Sequence, residues 1–347
     1  MRVLLTGSAG FIGSAIATAL ASSEHEVVPV DLMLPEAHGR SEVPEGTHQL
    51  DVRDALEWVD LLRGVDAVCH QAALVGAGVR VGDLPSYASH NDLGTAALLA
   101  AMHEAGVGSL VLASSMVVYG EGRYECPDHG HQQPPPRAIA ALDAGDFENH
   151  CPRCNRALTW ALVEESARLD PRSTYAASKL AQEHYAATWA RQADSSVVSL
   201  RYHNVYGPGM PRDTPYSGVA AMFRSSIERG RAPQVYEDGG QTRDFVHVAD
   251  VAAANVAALE AVVGQRAGEA TAYNVCSGEP VTIGRVAELV VGGTGSDLAP
   301  EVTGQYRPGD VRHVVASPAL AREELGFRAA VSPTEGLPAF ATAPLRD

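Results

Sequence analysis

Tyr175 and Lys179 stand four residues apart in "YAASK", a spacing that puts both side chains on one face of a helix. An ammonium beside a phenol favours the phenolate, so such a pair can take a proton from a hydroxyl near neutral pH. A second group with chemical capacity is glycine-rich. Gly7, Gly10 and Gly13 in "LLTGSAGFIGSA" follow a strand-like run and open a helical pattern. Residues without Cβ let the backbone turn tightly and approach a pyrophosphate, whose charge the helix N-terminus stabilises. Asp31 ends the next apolar run, where a carboxylate accepts hydrogen bonds from an adenosine ribose diol and repels a 2′-phosphate. Together they point to NAD. Asp51, in "LDVRD", reads equally as a contact to the adenine edge and as a helix N-cap.

A third group is metal-ligating. "CPDHG" at 126–130 and "CPRCN" at 151–155 each hold two ligand-type side chains separated by two residues, in turns that contain proline and end in glycine or asparagine. Two such turns facing each other complete a tetrahedral Cys3His set of Cys126, His129, Cys151 and Cys154, with His131 able to replace His129. With all four positions filled by protein, the zinc expected there is structural, stapling a Pro-rich segment too short to fold alone. Cys69 and Cys276 lie on apolar runs and read as core thiols.

These residues need a frame. Through the first two-thirds of the chain, apolar runs ("RVLLT", "EVVPVD", "DAVCHQAA", "SLVLASS") alternate with helical patterns ("FIGSAIATALA", "NDLGTAALLAAMHEAG"). That grammar predicts an α/β fold with a doubly wound parallel sheet. After "RYHNVYGPG" the pattern changes to Gly/Pro-rich connections around short strands and a few helices, predicting a smaller mixed α/β region over the carboxyl edge of the sheet. The expected division is a dinucleotide-binding domain over 1–207, a substrate domain mainly over 208–347, and a segment at about 240–262 that returns to the sheet. At 347 residues and 46% hydrophobic the chain can bury a large core. A net charge of -16 argues against nucleic acid. The sequence contains no run long enough to span a membrane and opens directly on a strand, so a cytoplasmic protein is expected.

The glycine spacing and Asp31 resemble the extended short-chain dehydrogenase/reductase superfamily, and independent segments extend the resemblance. "HQAA" (70–73) looks like its turn under the cofactor, "ASSMVVYG" (113–120) its active-site strand, and "YAASK" its Tyr-x-x-x-Lys. "RYHNVYGPG", "RDFVHVADVA" and "RPGDVRH" are similar to its nucleotide-sugar segments. The resemblance implies a Rossmann-like fold. It implies NAD contacts from Gly7, Gly10, Phe11, Ile12, Gly13, Asp31, Asp51, Val52, Ala72, Ala73 and Asn91, with Asn91 expected to orient backbone near the site. It makes Ser115, Tyr175 and Lys179 catalytic, with Tyr175 and Lys179 also contacting the cofactor, Lys179 at the nicotinamide ribose. Substrate contacts are implied for Ser115, Met116, Asn204, Arg243 and Arg307. His203 stands where the family commonly has phenylalanine, and is expected to be a core histidine with a satisfied hydrogen bond. The chain between Tyr119 and Tyr175 is roughly thirty residues longer than usual for the superfamily, which makes 121–165 an insertion.

The positions after Ser115 separate reactions. Dehydratases of the superfamily carry an Asp-Glu pair there, because eliminating water needs a further acid and base. Met116 and Val117 can move no proton. The resemblance therefore implies an NAD-dependent nucleotide-sugar 4-epimerase working through a 4-keto sugar on a dTDP- or UDP-sugar, dTDP-L-rhamnose among them. It further implies a homodimer formed by helices near 91–105 and 175–192. A net ketosugar reductase, a dehydratase, and a catalytically inactive NAD-sensing binding protein are the competing readings.

Overall fold

Ala67–His70 and Ser196–Tyr202 are buried along their whole length, as strands covered on both faces must be. In the computed structural model, which describes residues 1–38, 42–76, 78, 80–212 and 218–346, they belong to a seven-stranded sheet. From one edge its strands are Ala270–Val275, Ser196–Tyr202, Ser109–Ser115, Ala67–His70, Arg2–Thr6, Glu26–Asp31 and His48–Gln49. Every pairing is parallel. Chain order reverses between Arg2–Thr6 and Ala67–His70, which opens a crevice beyond their carboxyl ends.

Alternation along a strand sends neighbours to opposite faces. Val3 and Leu5 pack with Ile16 and Leu20 of helix Phe11–Ser22 and with Val251 and Leu259 of helix Val248–Gly264. Leu4 and Val68 pack on the other side with Leu98 and Met102 of helix Gly94–Ala105 and Ala186 and Trp189 of helix Thr174–Gln192.

Past Tyr202 the chain builds a second core. Asn204–Tyr206 pairs with Thr242–His247 in parallel, and Pro280–Thr282 joins antiparallel. Helices Val219–Glu228, Ile283–Thr294 and Pro333–Phe340 close over Tyr206, Phe245, Val290 and Phe340. The segment after Tyr119 forms a third unit. Arg123–Cys126 is flanked antiparallel by Gly130–Gln132 and Thr159–Ala161, around a small core of Tyr124, Cys126, Cys151 and Leu158. No helix among the described residues is long and apolar enough to cross a membrane.

Candidate active site

The glycine turn joins the first strand to helix Phe11–Ser22 at the chain reversal. Gly7 adopts φ +67°, and a Cβ there would lie 2.7 Å from the Ala72 amide nitrogen; one on Gly13 would lie 1.9 Å from the Gly7 carbonyl oxygen. Only glycine allows these approaches. The Ala72 amide donates to Thr6 Oγ1 (3.2 Å), fixing Ala72–Ala73 against the turn. Gly10 caps the helix with no side-chain bond to its first amides, which leaves those of Phe11 and Ile12 to an anion.

Asp31 lies beside this turn, buried, accepting from the Ala9 amide (3.0 Å) and the Met33 amide (2.8 Å), with His38 Nε2 at 3.2 Å. Burial alone would raise its pKa, but these partners outweigh that and hold the carboxyl below its usual range. It is therefore ionised and fixed, as a ribose acceptor must be. His38 is a partner that sequence reading missed, because nothing in "PEAHG" marks a residue that reaches back to the strand. Asp51 caps the following turn: it accepts the Arg53 amide (2.9 Å) and pairs with the Arg53 guanidinium, while Val52 is buried beneath Gly94. Asn91 orients backbone near the site. Its amide is spent on Leu74 N (2.7 Å), Leu74 O (2.9 Å) and Ser178 Oγ (2.8 Å), so it fixes loop backbone against the Tyr175 helix.

That helix starts with Ser173 as N-cap, its hydroxyl accepting from the Ala176 amide. Tyr175 thus sits in the first turn, near the end of the Ser109–Ser115 strand. Burial pushes the Tyr175 phenol above its usual range, and the neighbouring Ser115 hydroxyl pulls the other way. Lys179 is buried and donates to the Ala113 carbonyl (2.8 Å). Burial lowers it to about 7 against the upward pull of Glu183. Lys179 thus stands one turn along the same helix face as Tyr175, with its ammonium at the Ala113 carbonyl. Glu183, one further turn along the same face, was also missed. It accepts from Arg201 Nε (3.0 Å) and Nη2 (2.8 Å) and from Ser114, tying the helix to two central strands. The i, i+4, i+8 series Tyr175, Lys179, Glu183 was its signal.

The expected substrate residues divide. Asn204 Oδ1 is buried without a partner among the described residues. So are both ring nitrogens of His203, against the satisfied hydrogen bond expected; burial, with the Arg243 charge added, lowers His203 to about 3 and keeps it neutral. Arg243 donates to the carbonyls of Thr242 (2.9 Å), Arg312 (2.7 Å) and Val311 (2.6 Å), so most of its fork holds backbone instead of lying open to phosphate. Arg307 is exposed, its guanidinium 5.1 Å from the centre of the Tyr236 ring. Met116 packs beside Val118, Tyr119 and Val163 and brings no acid or base.

In the insertion, the side-chain donor atoms of Cys126, His129, Cys151 and Cys154 all lie within 4.8 Å of one another. Cys126 Sγ is 3.5 Å from His129 Nδ1 and 3.7 Å from Cys154 Sγ, and Cys151 Sγ is 3.5 Å from His129 Nδ1. Tetrahedral zinc with thiolate and imidazole ligands requires edges of about 3.8 Å between sulfurs and about 3.5 Å from sulfur to nitrogen. Both turns end in the left-handed region, at Gly130 (φ 64°) and Asn155 (φ 59°). His131 is mostly exposed, 3.9 Å from Glu125, which leaves His129 as the fourth member.

A family model described as "NAD dependent epimerase/dehydratase family" matches residues 3–139 and 161–276, skipping the part of the chain that carries Cys151 and Cys154. The chain is 34% identical to a dTDP-L-rhamnose 4-epimerase of Burkholderia thailandensis, over 94% of this chain and 90% of that protein. It is 30% identical to a UDP-glucose 4-epimerase of Mycolicibacterium smegmatis, over 97% and 96%. Among solved structures it resembles the Thermus thermophilus UDP-glucose 4-epimerase in complex with NAD, with a TM-score of 0.75, 32% identity, and 98% of each chain covered.

Proposed function

Because the chain belongs to the NAD-dependent epimerase/dehydratase family, we propose that it is a nucleotide-sugar 4-epimerase, and that dTDP-L-rhamnose is the first substrate to try. The observation that carries the reading is the hydroxyl pair of Ser115 and Tyr175 beside buried Lys179, followed by two side chains, Met116 and Val117, that cannot move protons. Gly7, Gly10, Gly13 and Asp31 would hold NAD, which when bound accepts a hydride from sugar C4 and returns it. Tyr175 takes the proton of the C4 hydroxyl as that carbon is oxidised. Ser115 holds the oxygen in line with the phenol, and Lys179 adds positive charge when protonated. Returning the proton from Tyr175 as hydride reaches the other face of the 4-keto sugar completes inversion, with no net redox change. Incubation with dTDP- and UDP-sugars should therefore yield an isomer of unchanged mass, read by chromatography and mass spectrometry. A product lighter by one water sinks the epimerase in favour of a dehydratase.

The Cys126, His129, Cys151 and Cys154 cluster is read as a structural zinc site on the strength of its spacings and its closed ligand set. A homodimer is read from the outer groove between helices Gly94–Ala105 and Thr174–Gln192, where Ala96, Leu99, Ala100, Tyr185 and Trp189 form an apolar floor. Its small residues allow two copies to pack helix against helix. Ala100→Glu puts two carboxylates into that seam, and sedimentation should show a shift from dimer to monomer; wild-type protein that sediments as a monomer removes this interface.

A further inference from the structure

The insertion grips one particular stretch of the distant C-terminal region. At its near end, Gly122 (φ +76°) lies against residue 313 so closely that a Cβ would sit 2.9 Å from the His313 carbonyl oxygen. At its far end, Val163 N donates to the Val315 carbonyl, and Ser317 N donates to the Val163 carbonyl, both at 2.9 Å. Between these ends, Tyr124 forms the link. Its ring packs in the small core with Cys126 and Cys151, and its hydroxyl donates to Glu121 Oε2 (3.1 Å) and accepts from the His313 amide (3.0 Å). The same Glu121 oxygen accepts from the Arg312 amide (3.0 Å) and Asn149 Nδ2 (3.0 Å).

The gripped stretch leads directly to the residues expected to hold substrate. The carbonyls of Val311 and Arg312 receive the Arg243 guanidinium, on the strand paired with Asn204–Tyr206. The Arg312 side chain, 1% exposed, is clasped by Glu148 of the insertion (3.0 Å), Glu237 (2.8 Å) and Asp238 (2.7 Å). Arg137 of the insertion reaches Glu237 as well (2.8 Å). Buried charged networks of this kind work only in good geometry. The part of the insertion between its short strands has little regular structure to impose that geometry, and the four-ligand cluster is the constraint that does.

We propose that the metal cluster is a strut for substrate binding: through Tyr124 it fixes segment 311–314, whose carbonyls, with that of Thr242, hold three donors of Arg243 and so aim its Nε and second Nη2 hydrogen at the nucleotide diphosphate. Tyr124 is on this account a positioning residue. The inference rests on the nucleotide-sugar and zinc readings above, and its test separates them. UDP and dTDP serve as probes, because they require no choice of sugar. Bound zinc is counted by plasma emission, bound NAD by absorbance after denaturation, and nucleotide affinity by calorimetry.

Tyr124→Phe should keep zinc and NAD at wild-type levels while weakening UDP or dTDP by about fivefold or more, the loss of one buried bridging hydroxyl. Epimerase kcat should stay within about twofold, the loss appearing in KM, because an altered grip on the diphosphate leaves the reacting carbon's partners in place. Glu148→Gln, a milder change at the partly exposed side of the same network, should move affinity in the same direction and serves if Tyr124→Phe fails to fold. Unchanged nucleotide affinity in the folded variant overturns the strut, as does loss of NAD in parallel with nucleotide. Wild-type protein that binds NAD but neither UDP nor dTDP overturns the nucleotide-sugar reading, and the strut with it. Wild-type protein that binds nucleotide normally with no zinc overturns the metal's part.

Discussion

Tyr175→Phe should retain bound NAD and lose turnover by ~10²–10⁴-fold, the range over which a positioned general base acts. The substitution keeps the ring, which sits 6.0 Å from Tyr87 between centroids, and removes only the hydroxyl that faces Ser115. Nothing that would hold the dinucleotide changes, since Gly7, Gly10, Gly13 and Asp31 lie on other elements. Steady-state rates together with the absorbance of cofactor released on denaturation read both halves of this outcome. A variant that turns over within twofold of wild type refutes Tyr175 as the base. One that has lost NAD shows instead that the phenol helps to hold the cofactor.

Cys151→Ser should produce the largest change in stability. Structural zinc contributes on the order of 10 kcal/mol of apparent binding free energy to small domains that cannot fold without it. Removing one thiolate of three forfeits much of that within residues 121–165. The sheet has its own cores and does not depend on the metal, so the loss is partitioned. We expect zinc content to fall well below one per chain, the melting temperature to drop by roughly 5–10 °C, and limited proteolysis to cut first inside the insertion. Equal melting temperatures and equal protease resistance, in protein without zinc, would contradict the staple.

The glycine turn, Asp31 and the Tyr175–Lys179 face were legible because each rests on short-range chemistry: a φ angle, a strand end, a helical period. The gathering of Cys126, His129, Cys151 and Cys154 was legible for the same reason, because paired residues in two short turns need only meet once. What could not be read depended on contacts between distant segments. Arg243 has the residue type for phosphate, yet its donors go to the carbonyls of Val311 and Arg312, a pairing set by tertiary register. His203 was expected to find a hydrogen-bond partner, but its neighbours after folding offer none among the described residues. For Asp51 the cap is visible in the Arg53 amide that it accepts, a bond of the same short range. Glu121 carried no pattern, and Arg312, though it lies inside "RPGDVRH", takes its meaning from a partner nearly two hundred residues away.

That separation orders the events of folding. Cys126 and Cys154 are 28 positions apart, whereas Tyr124 meets His313 across 189. Short loops close fastest and long-range contacts wait for the chain ends to meet. The turns that carry Cys126 and Cys154 can therefore meet while the last quarter of the polypeptide is still being made, and segment 311–314 arrives late. Until then Glu121 stands without the Arg312 amide that it accepts. A nascent chain paused before residue 311 lacks both the segment that Glu121 and Tyr124 receive and Arg346, which reaches back to the Ala9 carbonyl beside the glycine turn, so the last residues made close both ends of the molecule.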